Sequence, residues 1–173
     1  YFARSLQILA KTDAIDAVVI ARFAAATKPR YYTPPTAEIA RLRAVADRRD
    51  QLIEDRVREE NRLEACTDDD VATQVRASIS ALEQAVEKLD ATIREIIAAD
   101  PALTAKNDLL QNETGVGPQT AAVLIAQLPE LGTVNRQQIG ALAGLVPYDC
   151  SSGNHDGQRH IYGGRARVRE ALY

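Results

Sequence analysis

Between positions 75 and 96 the apolar residues Val75, Ile79, Leu82, Val86, Leu89, Ile93 and Ile96 recur at steps of 4-3-4-3-4-3. Such a heptad seam over three repeats is what a helix with one narrow apolar face requires. A face this narrow carries little core of its own, so it has to close against a second helix. The stretch 36–64 offers one: it is highly charged, free of Gly and Pro, and marked by Ile39, Leu42, Ala46, Ile53 and Val57, with Arg49 interrupting the stripe. Cys66-Thr67-Asp68-Asp69-Asp70 makes the turn between them, with Thr67 expected as N-cap and acids in the following first turn. Two helices joined this closely lie antiparallel and form a hairpin ~40 Å long at 1.5 Å per residue. The stripes can also pair between chains, and the arm then serves oligomerisation; a simple spacer is the other reading.

The rest of the chain points to the same class. Ala, Leu, Ile, Glu and Arg dominate the 173 residues, against 9 Gly and 7 Pro, a mixture that favours helix over strand. The first segment reads as helical to about Thr27, with Ile15, Val18, Val19 and Phe23 at helical spacing. Pro29, Pro34 and Pro35 then break it and mark a linker. Asp100-Pro101 starts a helix, with Asp as N-cap and Pro at the first helical position, and that helix ends near Asn112. Thr114-Gly115-Val116-Gly117-Pro118 is a tight turn into the next helix, and Asn135 and Gln138 have capping-box spacing. Residues 145–163 read as irregular, and a last helix begins near Arg165. The expectation is an all-α chain: a helical segment and linker over 1–35, a long antiparallel coiled-coil hairpin over 36–100, and a small helical domain over 101–173.

Net charge is −3, which at first argues against nucleic acid, but its distribution argues the other way. Residues 1–35 hold five Lys/Arg against two Asp, residues 36–100 ten against sixteen, and residues 101–173 six of each. Within the last stretch, positions 159–169 carry four arginines and no acid. Acidity therefore sits in the middle, and both flanks offer basic patches to phosphate. Cys66 and Cys150 lie far apart with no CxxC grouping, which suggests two reduced thiols in a cytosolic protein. No apolar run approaches the roughly 20 residues that span a bilayer. The chain has no methionine and opens on Tyr1 in mid-pattern, so it reads as an internal piece of something longer.

Three local patterns bear on chemistry. Asp13 and Asp16 lie three apart on one face of a helix start, where paired carboxylates suit Mg2+ and phosphoryl transfer, or simply interact with the helix dipole. Gly115 and Gly117 between two helices resemble a helix-hairpin-helix, whose exposed amides take a DNA phosphate; an ordinary helical corner is the alternative. Ser151-Ser152-Gly153 places hydroxyls on a turn, followed by Arg159, Arg165, Arg167 and Arg169. Serine attack on a phosphodiester needs positive charge on the non-bridging oxygens, and arginine supplies it bidentately. A solvated loop beside a basic helix face is the bland reading. Cys150, His155 and His160 with Asp149 and Asp156 match no zinc spacing.

Taken in order, the phrases KTDAIDA, ETGVGPQTAAVLIAQLPELG, ALAGLVPYDCSSG and RHIYGGRARVREALY resemble the insertion-sequence transposases that use a noncoding bridge RNA. The resemblance implies an RNase H-like domain with a DEDD metal site, a coiled coil, and a small domain bearing a serine nucleophile. By position it makes Asp13 and Asp16 the last two acids of the metal site, with Mg2+ as the ion, and Ser152 the nucleophile. The other two acids would lie upstream of Tyr1, so the chain alone is expected to be inactive. It further implies DNA and bridge RNA as partners, a homo-oligomer, no membrane, and a place at the nucleoid of a prokaryotic cytoplasm. Arg165 and Arg169, one turn apart, are expected to grip phosphate while Val168 and Leu172 face the core. A tyrosine recombinase, prompted by His160, the arginines and Tyr173, does not suit the spacing. A non-catalytic helix-hairpin-helix DNA-binding module with a dimerising coiled coil is the alternative from another class.

Overall fold

The computed structural model describes residues 2–29, 34–150 and 157–173. Two compact units divide the chain, Tyr1–Pro34 and Pro35–Tyr173. The fold is all-α, with eight helices and a single pair of two-residue strands among the described residues.

In the first unit α1 (Phe2–Ser5) is a single turn and α2 (Asp13–Thr27) the main helix. Helix thus begins at Asp13 rather than running through the segment. Thr12 Oγ1 accepts a hydrogen bond from the Ile15 amide (3.3 Å) and caps α2. Lys28, at φ 44°, closes it in the left-handed conformation just before Pro29. The Phe2 and Phe23 rings meet edge-to-face at 5.4 Å, the preferred geometry for an aromatic pair.

The second unit is built on a helical hairpin. Helix α3 (Ala37–Glu64) and helix α4 (Asp69–Ala99) run about 42 and 46 Å at 1.5 Å per residue and pack against each other. Thr36 caps α3. The α4 cap is Asp68, whose carboxylate accepts from the Val71 amide at 3.0 Å, not Thr67 as expected from sequence. An aspartate there satisfies an orphan amide and also adds negative charge at the positive end of the helix, which Thr67 cannot do.

Packing along the hairpin is uneven. At its base Leu42 and Ala46 of α3 meet Ile93, Ile96 and Ile97 of α4 in one buried cluster. Farther out, Val75, Ile79, Leu82, Val86 and Leu89 are only half-buried, and Val57 is exposed while Leu52 is buried in its place. Charged side chains explain the difference. Arg49 reaches across to Asp90, Arg56 lies 3.3 Å from Glu60, and Arg58 and Arg62 form exposed pairs with Asp55 and Glu59. The Arg56 Nε is buried without an aligned hydrogen bond, so its approach to Glu60 is an ion pair of poor geometry. Exposed pairs of this kind add a few tenths of a kcal/mol each, about 0.3–0.5.

Three further helices close over the base. Asp100 ends α4 and caps α5 (Pro101–Gln111), accepting from the Ala102 amide at 2.8 Å. Helix α6 (Pro118–Gln127) lies between two clusters. Its Ala122, Ile125 and Ala126 join the hairpin base with Leu103, while Leu124, with the following Leu128, joins Ala143 and Val168. Small residues let α6 approach closely, and polar ties fix it: Arg43 Nη2 donates to the Ala126 carbonyl (2.8 Å) and Gln127 Nε2 to Asp47 (2.8 Å). The hairpin base therefore shares one core with α5 and α6, and α6 shares a second with α7 and α8. Helix α7 (Arg136–Ala143) carries the expected Asn135–Gln138 capping box.

The stretch expected to be irregular contains β1 (Pro147–Tyr148) and β2 (His160–Ile161), antiparallel with Tyr148 opposite His160. Helix α8 (Ala166–Ala171) follows. Val168 is fully buried, as its spacing suggested, but Leu172 is exposed because α8 ends at Ala171 and no longer carries it inward.

Candidate active site and nucleic-acid interface

In the first unit Asp13 and Asp16 occupy the first turn of α2. Asp13 is exposed and Asp16 half-exposed. Their oxygens suit a divalent cation, but among the described residues no third His, Cys, Asp or Glu gathers with them. Two carboxylates alone do not make up the oxygen shell of such a cation.

In the second unit the α5–α6 connection has the geometry of a short hairpin. Gly115 takes φ +89°, and Gly117 caps α6 through its backbone with no side-chain hydrogen bond to the first amides. Space around both glycines is open, so a phosphate can reach that helix start.

Ser152, with Ser151, lies outside the described residues, as do Gly153, His155 and Asp156. What holds the ends of that loop is described. Across the β1–β2 pairing, Arg159 Nε donates to Asp149 at 2.6 Å. One step nearer the loop, a Cβ on Gly157 would stand 2.5 Å from the Cys150 carbonyl oxygen, so the two strands meet closely at the neck. The other end of the hairpin is clamped by backbone. Gly144, the left-handed cap of α7, lies directly against Gly164, and the Arg165 amide donates to the Leu142 carbonyl at 2.8 Å. A side chain at Gly164 would enter the Gly144 backbone, and one at Gly144 would meet the Gly163 carbonyl oxygen and the Arg169 guanidinium.

The arginines of this region, grouped from sequence as a phosphate-binding set, have separate employments. Arg165 forms a fork with Glu130: Nη1 and Nη2 each donate to a carboxylate oxygen at 2.6 Å, and Nη1 also donates to the Gln127 carbonyl at 2.7 Å. The Arg165 hydrogen bonds hold Glu130 below the ordinary carboxylate value, against the opposing effect of partial burial. Arg167 pairs with Asp50 of α3 and with Glu170. Arg159 is held by Asp149. Arg169 donates to the Gly163 carbonyl at 3.2 Å, a neutral partner, and no carboxylate meets it among the described residues. Sequence reasoning missed Glu130, Asp50 and Asp90. Asp90 Oδ1 accepts from both Arg49 and Gln119 and ties α3, α4 and α6 together.

Among the described residues no helix is long and apolar enough to cross a membrane.

Residues 2–69 match a DEDD family model for IS110, described as Transposase, and residues 107–173 match one described as Transposase IS116/IS110/IS902 family. The pilin gene-inverting protein of Moraxella bovis is 28% identical over 182 aligned residues, covering 99% of this chain and 54% of that protein. The pilin gene-inverting protein of Moraxella lacunata is similar to the same degree over the same extent. The chain spans about half the length of these curated relatives. The two matched stretches enclose Asp13 and Asp16 at one end and the β1–β2 hairpin and the arginines at the other.

Proposed function

We propose that this chain is part of a DNA transposase or recombinase that cuts and rejoins DNA through a phosphoserine link at Ser152. The observation that carries the reading is the pair of transposase matches, which enclose the paired acids at one end and the serine loop at the other. The gene-inverting character of the curated relatives, a rearrangement of DNA by their name, supports the same class.

In this reading Ser152 Oγ attacks the scissile phosphorus, its proton leaves to a base, and the bond from phosphorus to one deoxyribose oxygen breaks as that oxygen is protonated. One phosphoester replaces another, so the energy of the bond is kept and the reverse attack by a new hydroxyl rejoins the strand. The clamp between Gly144 and Gly164 and the neck at Cys150 and Gly157 give the loop fixed ends, the orientation that such an attack needs. Arg169, and Arg159, Arg165 and Arg167 where DNA displaces their present carboxylates, would hold phosphate, and the open backbone at Gly115 and Gly117 a second one. Asp13 and Asp16 would hold Mg2+, which when bound supplies charge to position the DNA and its scissile phosphate. Two carboxylates do not complete that site, so the chain by itself is inactive. The hairpin arm brings copies together, and a noncoding bridge RNA selects the DNA, in the cytoplasm at the nucleoid.

Covalent trapping tests this. In a transposase that contains this chain, with its DNA and RNA, Ser152→Ala abolishes both the adduct and cleavage while DNA binding persists; Ser151→Ala keeps much of the activity. An adduct that survives Ser152→Ala, or that carries phosphotyrosine, overturns the assignment. No adduct with intact DNA binding favours the non-catalytic binding module instead.

A further inference from the structure

Four side chains of the β1–β2 hairpin that alternate along its strands face one cleft. Tyr148 and His160 stand opposite each other in register, and Cys150 and Tyr162 lie two positions beyond them. Residues two apart in extended chain share a face, so the four project together. With Gly163 and Gly164 they line a cavity of about 500 Å3 whose walls are mainly apolar and, among the described residues, include no acid. Tyr162 is 82% exposed, and nothing lies where a Cβ of Gly163 would be, so the cleft is open to a flat ligand. Asp149 and Arg159, the odd-numbered pair of the same strands, meet each other instead of lining it.

Charge identifies the ligand class. Positions 157–169 carry four arginines and no acid. Three of them are met by carboxylates, but the Arg169 guanidinium rests on the Gly163 carbonyl, at the cleft's glycine wall, with its charge not neutralised among the described residues. An aromatic-lined slot with a cation at its edge is complementary to a nucleotide: the base stacks, and its phosphate meets the cation. An aromatic protein side chain in the slot would leave that charge unanswered.

We propose that this cleft is a nucleobase subsite, in which Tyr162, with Tyr148 and His160, stacks an unpaired DNA base while Arg169 holds the adjoining phosphate. The proposal rests on the reading of the chain as DNA-processing and deepens it. Because Tyr148 and Cys150 lead directly into the loop that carries Ser152, the base belongs to a nucleotide next to the one cut. Extracting it would present the scissile phosphate unstacked, at a cost least for already unpaired DNA.

The test uses the 173-residue chain and a single-stranded DNA oligonucleotide containing 2-aminopurine, with its oligoribonucleotide counterpart as second probe. Stacking makes the 2-aminopurine fluorescence fall on binding. Tyr162→Ala weakens DNA binding about 5- to 150-fold, the range for loss of one stacked base, and abolishes the fluorescence change, whereas Tyr162→Phe retains both. Arg169→Gln weakens binding and lowers the salt slope by roughly 0.7, one phosphate contact on a single strand. Helicity by circular dichroism stays unchanged in the Tyr162 variants, since the side chain is exposed. Salt-dependent DNA binding that is indifferent to Tyr162→Ala overturns the subsite alone. A Tyr162-dependent response confined to the oligoribonucleotide overturns its assignment to DNA. Failure of both probes to bind overturns the subsite together with the DNA-processing reading.

Discussion

Gly163 and Gly164 are adjacent and adopt nearly the same left-handed backbone, φ +73° and +72°, yet a methyl group meets different surroundings at each. At Gly163 it points into open space. At Gly164 it would overlap the backbone N and Cα of Gly144 and stand 2.9 Å from the Ala143 carbonyl carbon. Both substitutions by alanine pay the left-handed penalty, about 1–2 kcal/mol. Only Gly164→Ala pays for overpacking as well, about 1–3 kcal/mol, because the atoms it meets are backbone and cannot rotate away. The totals are roughly 1–2 kcal/mol for Gly163→Ala and 2–5 for Gly164→Ala. For a unit of about 140 residues each kcal/mol lowers Tm by roughly 3–4 °C, so the two variants should melt about 3–12 °C apart. Thermal melts followed by far-UV circular dichroism resolve that gap. Equal losses for the two variants would refute the close approach of α7 to the segment before α8. If Gly164→Ala melts with wild type, the clamp on the hairpin does not exist.

Glu130→Gln should cost about 0.5–1.5 kcal/mol at neutral pH, modest because the pair is one-third exposed. The Glu130 value is depressed in the folded protein, so its contribution is present above the ordinary 4.5 and is lost as pH falls through the lower folded value; denaturation of wild type and variant should converge there, and a difference that persists in acid refutes the linkage. Ile96→Ala, at the buried hairpin base, should cost about 2–5 kcal/mol, whereas Leu82→Ala in the half-buried arm should cost about 1; urea titration that finds them equal contradicts the uneven packing. Calorimetry should detect no tight Mg2+ binding by the chain, and micromolar binding lost in Asp13→Asn or Asp16→Asn would show a complete site.

The helices were legible because their signals are local. Thr36, Asp100-Pro101 and the Asn135–Gln138 box each announce a helix start within four residues, and the structure uses all of them. The seam over 75–96 likewise marks one face of α4, but periodicity says which residues align and not how deeply they are covered. Burial depends on what stands opposite, and around Leu82 of the outer seam α3 presents Asp55, Arg58, Glu59 and Arg62. The strands were not legible. Two residues each are too few for an alternating pattern, and Tyr148, Cys150, His160 and Tyr162 become a common face only once the register of β1 with β2 is known.

The arginines show why a charge run is a weak guide to a binding face. Positions 159–169 count as four positive charges when read alone, and the count suggested a patch for phosphate. In the fold the carboxylates that answer them come from far away in sequence: Glu130 is 35 positions from Arg165, and Asp50 lies on α3, in the other half of the unit. Asp50 belongs to the stretch that gave the chain its negative total, so the acidic middle and the basic end cancel partly against each other in space. Charge left over after this pairing, not charge counted along the chain, is what DNA meets. Among the four arginines of positions 159–169 that singles out Arg169, whose hydrogen bond to a neutral carbonyl orients the guanidinium without neutralising it. For Arg165 or Arg167 to hold phosphate, DNA must displace Glu130 or Asp50, which would loosen α8 from α6 or from α3. Binding through those two arginines is therefore coupled to the packing of α8, and binding through Arg169 is not.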